Sequence, residues 1–238
     1  MTKPVTAMIL AAGKGTRMRP LTDNCPKPLL MVSDKPLIEW HLHKLKAAGV
    51  TRVVVNCAYL AEKVEAYFAA RPDDGLDITV INEGSEPLET AGGIVNAISH
   101  LGDEPFLVVN GDVWIEFDYS ELVERISALK DKGALVLVKN PEHNPNGDFA
   151  VDSSGDLKNL ASVSSDDSSS YTFSGISVLS PALFGSLSSS SGALGPFLRQ
   201  WIDGSLLEAS VFDGYWLDVG TPERLGALET RLSTVAVK

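Results

Sequence analysis

A glycine-containing segment near the start of the chain carries residues that could bind phosphate. The apolar run Val5–Leu10 leads into residues 13–17 (GKGTR), and Arg19 follows two residues later. Glycines after a strand let backbone N–H groups approach an anion closely, and basic side chains neutralise its charge. The sequence therefore predicts a phosphate-binding loop. The alternative is a tight strand-to-helix turn with solvated cations.

The spacing of the glycines separates this loop from the two commonest glycine motifs. A dinucleotide-binding loop would have a third glycine where Met18 stands, and a P-loop would end in Gly-Lys-Ser/Thr after a longer spacer. A second basic residue, Lys27, lies between Pro26 and Pro28. Because proline fixes φ and restricts the residue before it, we predict that the Lys27 ammonium is held in one direction.

Two carboxylates follow apolar strands and could bind a metal ion. Asp112 comes directly after Asn110-Gly111, and Asp218 lies in the segment 216–222 (WLDVGTP) just before a glycine. Ligands of open α/β sheets bind beyond the carboxyl ends of strands, and Mg²⁺ takes oxygen ligands beside phosphates. We predict that the two carboxylates share a cation of this kind. The alternative is that each only caps or buttresses a turn.

The histidines and cysteines predict no additional site. The four histidines form no cluster, so each is predicted to be a surface or helix-end residue rather than a ligand. They are His41, His43, His100 and His143. Cys25 and Cys57 have no metal-type spacing, which favours free structural thiols and a reducing cytoplasm.

The composition is typical of a globular chain with small anionic ligands. With 238 residues, 44% of them hydrophobic and 21% charged, the chain is predicted to form a single domain, 1–238. The net charge of −11 argues against a nucleic-acid partner, and no apolar run reaches the roughly 18–20 residues that span a membrane. Residues 1–35 nevertheless carry a local charge of +4, which suits a small anion.

Predicted strands and helices alternate over the first 140 residues. The strands are Val5–Leu10, Arg52–Asn56, Asp77–Asn82, Pro105–Asn110 and Ala134–Lys139. One helix opens at Pro36 and stops at Gly49; the others are Leu60–Ala70, one from Thr90 through Leu101, and Tyr119–Lys130. This alternation predicts a mainly parallel sheet covered by helices.

The pattern changes after residue 140. A hairpin is predicted from Phe149–Asp152 and Leu157–Ala161, with exposed serine-rich loops at 162–170 and 186–192. Further strands are predicted at Tyr171–Leu179, Leu207–Phe212 and Tyr215–Val219, and a helix around Phe197–Ile202. Thr221-Pro222 is an N-cap and first-turn pair that opens the last helix.

These motifs, in this order, resemble a known family. Residues 10–22 followed by 26–29 (PKPL) resemble the signature of the sugar-1-phosphate nucleotidylyltransferases, and the Asp112 and Asp218 segments resemble that family's metal-site segments. The resemblance covers essentially the whole chain. It implies a Rossmann-like three-layer αβα fold with a mixed, mainly parallel sheet. It also implies a nucleotide-binding core at 1–140 and a small sugar-binding part, with the second metal ligand, at 141–238.

The resemblance also implies roles for individual residues. Arg17 would act on the leaving pyrophosphate and Lys27 on the α-phosphate and the sugar phosphate, while Asp112 and Asp218 would ligate Mg²⁺. The other implied nucleotide-binding positions are Ala11, Ala12, Gly13, Gly15, Glu89 and Asn110. The implied sugar-phosphate-binding positions are Asp112, Gly147 and Gly175.

The implied reaction joins two polyanions. A sugar-phosphate oxygen attacks the α-phosphorus of a nucleoside triphosphate and expels pyrophosphate, so Lys27, Arg17 and Mg²⁺ would have to neutralise the repulsion between the substrates. The attacking phosphate is already a nucleophile at neutral pH. No general base is therefore needed, which agrees with the absence of histidine near these motifs in the sequence.

Within the family, residues 87–93, 107–114 and 171–176 are most similar to the uridylyltransferases that act on N-acetylmuramate 1-phosphate in cell-wall recycling. That similarity implies UTP and a muramic acid phosphate as substrates. Much of the family has glycine where Glu89 stands, so Glu89 either acts near the nucleotide or is an exposed loop carboxylate. A mannose-1-phosphate guanylyltransferase shares every phosphate motif and is the main alternative.

A sensor function and a glycosyltransferase function are less consistent with the sequence. A nucleotide or sugar sensor without turnover could dispense with Lys27, Asp112 or Asp218, and all three are present. A glycosyltransferase would usually show Asp-x-Asp, whereas residues 112–114 offer one carboxylate. Hexapeptide repeats are lacking, so no C-terminal left-handed β-helix is expected. We expect a cytoplasmic monomer or small homo-oligomer.

Overall fold

The computed structural model describes residues 4–163 and 168–235, which contain thirteen β-strands and six α-helices. The strands are β1 (Thr6–Leu10), β2 (Met31–Val32), β3 (Lys35–Pro36), β4 (Arg52–Cys57), β5 (Asp77–Asn82), β6 (Phe106–Asn110), β7 (Val113–Ile115), β8 (Gly133–Val138), β9 (Phe149–Asp152), β10 (Leu157–Asn159), β11 (Ser168–Leu179), β12 (Leu207–Phe212) and β13 (Trp216–Asp218). The helices are α1 (Leu37–Ala47), α2 (Ala61–Ala70), α3 (Glu89–Leu101), α4 (Ser120–Leu129), α5 (Gly195–Asp203) and α6 (Pro222–Val235).

Nine of these strands form one mixed, mainly parallel sheet. Its main path runs β10-β9-β11-β6-β1-β4-β5, and β8 joins β12 to β11. The strands β6, β1, β4 and β5 are parallel, as are β8 and β12, whereas β11 is antiparallel to its neighbours. Because β1, β4, β5 and β6 run in one direction, the loops after them meet at one edge of the sheet.

Helices cover both faces of this sheet, which confirms the predicted three-layer αβα architecture. Alternate residues of a strand point to opposite faces, and β1 follows this rule: Ile9 packs with α1 and α4 residues, and Met8 packs with α3. Both side chains are fully buried. Near-continuous apolar strands such as β1 and β8 are therefore explained by burial on two faces.

Strand β11 connects the β9–β10 hairpin to the central strands of the sheet. Its first residues pair with β9, its middle with β8 and its last residues with β6. The pairing with β8 shifts register between Phe173 and Ser177, and Gly175 lies within that interval with φ +83°. A β-bulge of this kind bends a strand, so one strand can serve three neighbours.

A separate two-stranded sheet carries the last helix. Strands β7 and β13 pair antiparallel, and α6 packs on them through a cluster that includes Trp114, Val219 and Leu228. Arg231 of α6 stacks on the Tyr215 ring at 3.8 Å from its centroid. This packing fixes where the segment after β13 lies relative to the end of β6.

Most predicted elements are confirmed within one or two residues, with three differences. The stretch 162–170 is not wholly a loop, because residues 168–170 begin β11 and pair with β9; residues 164–167 lie outside the described residues. The second hairpin strand ends at Asn159 rather than Ala161, where a short 3₁₀ turn begins. The short strands β2, β3 and β7 were not predicted.

The buried position of His41 contradicts the predicted surface or helix-end placement. His41 lies in α1 and is 3% exposed. Burial, with the nearby Lys44 charge, lowers the pKa of His41 to about 4, so its ring is neutral near pH 7. Cys25 and Cys57 are free, as predicted, and burial raises the pKa of Cys57 to about 11.

None of the helices in the described ranges has the length and apolar character required to cross a membrane.

Candidate active site

A cavity of about 530 Å³ opens at the edge of the sheet where β1 and β6 end. The glycine loop after β1, the Asn110–Asp112 turn after β6 and the loop before α3 form its walls. The lining residues are Leu10, Ala11, Ala12, Gly13, Lys14, Thr16, Lys27, Pro28, Asn56, Glu86, Pro87, Glu89, Thr90, Asn110, Gly111 and Asp112. The sequence-predicted positions Ala11, Ala12, Gly13, Lys27, Glu89, Asn110 and Asp112 are therefore brought together in one cavity.

The two glycines of the loop do different things. Gly15 has φ +61°, and a Cβ there would lie 3.0 Å from a Thr22 methyl and 3.4 Å from the Lys27 Cβ. The Thr22 hydroxyl donates to the Gly15 carbonyl at 2.8 Å and locks this turn. Gly13 needs no unusual φ and faces open space on the cavity wall, which leaves its backbone accessible to a ligand.

Lys27 is buried and directed, as predicted. Its side chain is 11% exposed, and its Nζ lies 2.7 Å from an Asp112 carboxylate oxygen. Pro26 is the N-cap of the 3₁₀ turn Lys27–Leu29 and has extended φ and ψ, and Pro28 sits inside that turn. The two prolines thus fix the backbone from which the Lys27 ammonium reaches the end of β6.

The pairing of β7 with β13 brings the chain segments of the two predicted metal carboxylates together. Asp218 is in register with Val113, and the Val219 N–H donates to the Asp112 carbonyl at 2.7 Å. The Asp218 side chain itself does not line the cavity. These residues are 106 positions apart in sequence, so tertiary structure alone creates this juxtaposition.

Asp218 has two basic partners that sequence reasoning missed. Arg224 Nη1 donates to the Asp218 carboxylate, and His143 Nε2 lies 3.1 Å from it. No histidine lies near these motifs in the sequence, but the loop between β8 and β9 carries His143 to the start of α6. The only sequence signal was the Thr221-Pro222 helix start, which places Arg224 in the first turn of α6; Thr221 Oγ1 accepts from the Arg224 N–H at 3.4 Å.

A second guanidinium lies over the turn after Asp218. A Cβ on Gly220 would be 3.0 Å from Arg224 Nη2 and 3.1 Å from Arg17 Nη2. Arg17 is exposed and forms no hydrogen bond or ion pair with the other residues at 4–163 and 168–235. By contrast, Lys14 pairs with Glu86 at 2.7 Å, so much of the predicted cationic patch is internally neutralised and Arg17 stays available for an anion.

The donor set at this edge suits a divalent cation held jointly with phosphate. Within the described ranges no three or more His, Cys, Asp or Glu side chains form a ready-made metal cage. Mg²⁺ is commonly bound by one or two carboxylates, with substrate phosphates and water completing its shell. Asp112 and Asp218 supply two hard oxygen donors of that kind, and both are partly exposed.

Asn56, at the end of β4, is a cavity residue that the sequence did not reveal. Its side-chain oxygen accepts from the Ala11 N–H at 2.8 Å, and its Nδ2 donates to Glu83 Oε1 at 2.7 Å. Asn56 is 2% exposed, so these bonds are shielded from water. The network fixes the orientation of the Ala11 peptide at the cavity wall.

Five predicted positions do not line the cavity: Arg17 and Asp218, described above, and Gly15, Gly147 and Gly175. Gly15 supports the glycine loop from behind. Gly147 and Gly175 both have positive φ and pack closely: a Cβ on Gly147 would lie 2.7 Å from the Tyr171 carbonyl, and one on Gly175 would lie 2.7 Å from Asn110 Nδ2. Gly175 thus packs against the side chain of Asn110, which lines the cavity.

Comparison with known proteins identifies the family. The family model described as nucleotidyl transferase matches residues 6–233. The chain belongs to the nucleotidyl transferase family. Enzymes of this family generally use a divalent metal ion, in agreement with the oxygen donors of Asp112 and Asp218.

Two curated relatives match this family member over nearly its whole length. The N-acetylmuramate alpha-1-phosphate uridylyltransferase of Neisseria meningitidis serogroup B is 43% identical over 92% of this chain and 94% of that protein. The protein of the same name from Caulobacter vibrioides is 35% identical over 97% and 98%. The mannose-1-phosphate guanylyltransferase catalytic subunit beta of Drosophila pseudoobscura pseudoobscura is 31% identical over 91% of this chain and 59% of its own.

Solved structures share the fold. HddC from Yersinia pseudotuberculosis, complexed with GMP-PN, has a TM-score of 0.76 at 24% identity and covers 96% of this chain and 99% of its own. UDP-glucose pyrophosphorylase complexed with UDP-glucose also has a TM-score of 0.76, at 18% identity, over 98% and 99%. At these identities the likeness establishes the αβα architecture.

Proposed function

We propose that this nucleotidyltransferase transfers the uridylyl group of UTP to N-acetylmuramate 1-phosphate, giving UDP-N-acetylmuramate and pyrophosphate. The relatives that carry this activity in their names are 43% and 35% identical over nearly full length. The guanylyltransferase relative is 31% identical and is matched over a smaller share of its own chain. This difference supports UTP and a muramic acid phosphate over GTP and mannose 1-phosphate.

One structural observation carries the proposed chemistry: the β7–β13 pairing places the Asp218 segment beside Asp112, at the rim of a cavity walled by the glycine loop. Lys27 reaches the Asp112 carboxylate at 2.7 Å. A lysine and a carboxylate on the wall of a glycine-loop cavity, with a second carboxylate on the adjoining strand, are groups that two phosphate-bearing substrates require. A binding protein without turnover has no need to concentrate them there.

In this proposal the residues of the chain act mainly by positioning and neutralising charge. The backbone at Ala11, Ala12 and Gly13 holds the nucleoside, Lys27 holds the α-phosphate and the attacking sugar phosphate together, and Arg17 binds the departing pyrophosphate. Holding two reactants in line lowers a barrier by roughly 7–11 kcal/mol. The nucleophile is an ionised phosphate, so no side chain has to remove a proton.

Asp112 and Asp218 would hold Mg²⁺ in this enzyme. The ion, when bound, would supply positive charge and orient phosphate oxygens. Lys27 contacts Asp112 and Arg224 contacts Asp218, and these contacts orient the two carboxylates.

The sugar-binding part, the remaining nucleotide-binding residues, the cellular location and the oligomeric state are also part of this proposal. Residues 141–238 would supply the sugar-binding part, with Gly147 and Gly175 shaping its loops and Glu89 and Asn110 on the nucleotide side. We also propose that the enzyme works in the cytoplasm as a monomer or small homo-oligomer.

A substrate matrix tests the proposed function. Pyrophosphate release is measured with UTP, GTP, ATP and dTTP, each against the 1-phosphates of N-acetylmuramate, N-acetylglucosamine, glucose and mannose. We expect the highest kcat/KM for UTP with N-acetylmuramate 1-phosphate, and loss of turnover on chelation that Mg²⁺ restores. A preference for GTP with mannose 1-phosphate would overturn the uridylyl assignment.

Substitutions test the proposed site. Lys27→Met, Asp112→Asn and Asp218→Asn should each lower kcat by about 100- to 1,000-fold, the typical cost of one preorganised charge contact. Asp131→Asn, an exposed carboxylate beyond α4 that does not line the cavity, is the matched control. Near-normal rates in both Asp112→Asn and Asp218→Asn, with unchanged circular dichroism, would rule out the metal assignment.

A further inference from the structure

Glu89 occupies a conformation that its residue type disfavours. It is the first residue of α3, lines the cavity and has φ +62°. A side chain with a Cβ is strained in this left-handed region, where glycine is not. Its carboxylate is exposed and forms no hydrogen bond or ion pair among residues 4–163 and 168–235.

Bonds on both sides of Glu89 impose this conformation. The Leu88 N–H donates to Glu83 Oε2 at 2.9 Å, and the Ala91 N–H donates to the Gly192 carbonyl at 2.8 Å. Thr90 Oγ1 accepts from the Leu194 N–H at 2.7 Å. The neighbouring residues therefore dictate the backbone at position 89, and such strain persists where the surrounding structure over-determines it.

The charge of Glu89 limits what it can bind. Its segment lies against the glycine loop, because Glu86 pairs with Lys14 at 2.7 Å, and the other cavity ammonium, Lys27, pairs with Asp112. An unneutralised carboxylate repels phosphate. It can, however, accept hydrogen bonds from neutral N–H or O–H donors.

We propose that the Glu89 carboxylate accepts a hydrogen bond from the nucleoside part of the nucleotide, either a ribose hydroxyl or a base N–H, and thereby contributes to nucleotide selection. The inference rests on the proposed function, which assigns the wall facing the glycine loop to the nucleotide. It explains why a strained glutamate stands where glycine would cost least.

A comparison of glycine substitutions tests the inference. Glu89→Gly should raise Tm, because it relieves the left-handed strain, and lower kcat/KM for UTP by about 10- to 100-fold, since it removes a hydrogen bond to a charged acceptor. Ser205→Gly is the matched control: Ser205 has φ +55°, is exposed and lies outside the cavity. It should raise Tm and leave kcat/KM unchanged.

Nucleotide analogues separate the two donors. Wild type and Glu89→Gly are compared with UTP, 2′-deoxy-UTP, 3′-deoxy-UTP and N3-methyl-UTP. In the wild type, the analogue that lacks the donor should lower kcat/KM by the same factor as Glu89→Gly lowers it with UTP. In Glu89→Gly, that analogue should cause no further decrease in kcat/KM. Glu89→Gln, which keeps an acceptor oxygen, should recover part of the loss.

Unchanged kcat/KM in Glu89→Gly, or equal losses with every analogue in both proteins, would overturn the role of Glu89. Wild-type turnover with the four natural nucleotides is measured first. If another nucleotide is the substrate, the uridylyl assignment fails, and the same comparison with that nucleotide and its deoxy analogues still decides whether Glu89 accepts a hydrogen bond.

Discussion

Replacing Gly93 by alanine should destabilise the protein, although alanine is normally the better helix former. Gly93 lies inside α3, where an added Cβ would be 2.7 Å from Glu83 Oε1 and 2.8 Å from Asn56 Nδ2. Neither side chain can withdraw freely. Asn56 is tied to the Ala11 N–H at 2.8 Å, and Glu83 is tied to the Leu88 N–H at 2.9 Å.

The expected magnitude follows from three contributions. Overpacking in a filled site costs about 1–3 kcal/mol, and loss of the Asn56–Glu83 hydrogen bond, whose acceptor is charged, costs about 1.5–3 kcal/mol. The higher helix propensity of alanine opposes these losses and raises the free energy of unfolding by about 1 kcal/mol. The net decrease in the free energy of unfolding is about 1.5–5 kcal/mol, and for a domain of this size each kcal/mol lowers Tm by roughly 2–4 °C.

Gly226 provides the opposite case in the same protein. It is exposed in α6, and a Cβ there would meet nothing within 4 Å. Gly226→Ala should therefore stabilise the protein by up to about 1 kcal/mol.

Urea unfolding followed by circular dichroism compares the two variants with the wild type, and kinetics add a second measurement. Gly93→Ala should raise KM for the nucleotide, because Asn56 no longer orients the Ala11 peptide. A Gly93→Ala protein as stable as Gly226→Ala would refute the packing explanation.

Two further predictions concern buried titratable groups. The pKa of His41 is about 4 in the folded protein and ordinarily 6.5, so as pH falls from 6.5 toward 4 the unfolded state takes up a proton that the folded state does not. The free energy of unfolding should fall over this window by up to about 3 kcal/mol, a component that His41→Gln should remove in urea titrations at each pH. The second group is Glu39, which is 8% exposed and whose carboxylate accepts a hydrogen bond from Arg71 Nε at 2.7 Å. Arg71→Met removes the arginine from this buried pair and should lower the free energy of unfolding by about 3–5 kcal/mol.

The outcomes that contradict these two predictions are specific. Identical pH dependence in the wild type and His41→Gln between pH 4 and 6.5 would refute the linkage for His41. For the arginine, the matched control is Arg52→Met, which removes an exposed pair with Asp77 and should change stability by less than about 1 kcal/mol. Equal effects of the two arginine substitutions would show that burial of Glu39 is not the cause.

The local pattern of the sequence determined most of the secondary structure and the glycine loop. Continuous apolar runs predicted strands such as β1, β4 and β6 because buried parallel strands are apolar along their length. The prolines at 26 and 28 predicted a directed Lys27 because their constraint on the backbone is local. The start of α6 was predicted for the same reason, since a threonine–proline pair acts within one turn.

Partners far apart in the sequence were decided by the tertiary structure alone. His143 is exposed, as predicted, but its contact with Asp218 exists only because a loop folds back onto the start of α6. His41 is buried because it lies on the α1 face that carries Ile38, Leu42 and Leu45 and packs against the sheet; the helical spacing carried this signal, and the sequence interpretation missed it. The bulge at Gly175 and the bonds between Asn56, Glu83 and Ala11 likewise require the sheet to be assembled.

The candidate site also combines features that the sequence predicts with features that only the tertiary structure provides. The sequence by itself supplied the types of the reacting groups: a glycine loop, a held lysine and two carboxylates after apolar strands. Only the pairing of β7 with β13 brought the chain segments of Asp112 and Asp218 together, and only the bonds flanking Glu89 gave it φ +62°. Local propensities act over a few residues, whereas the meeting of distant segments depends on the packing of the whole sheet and its helices.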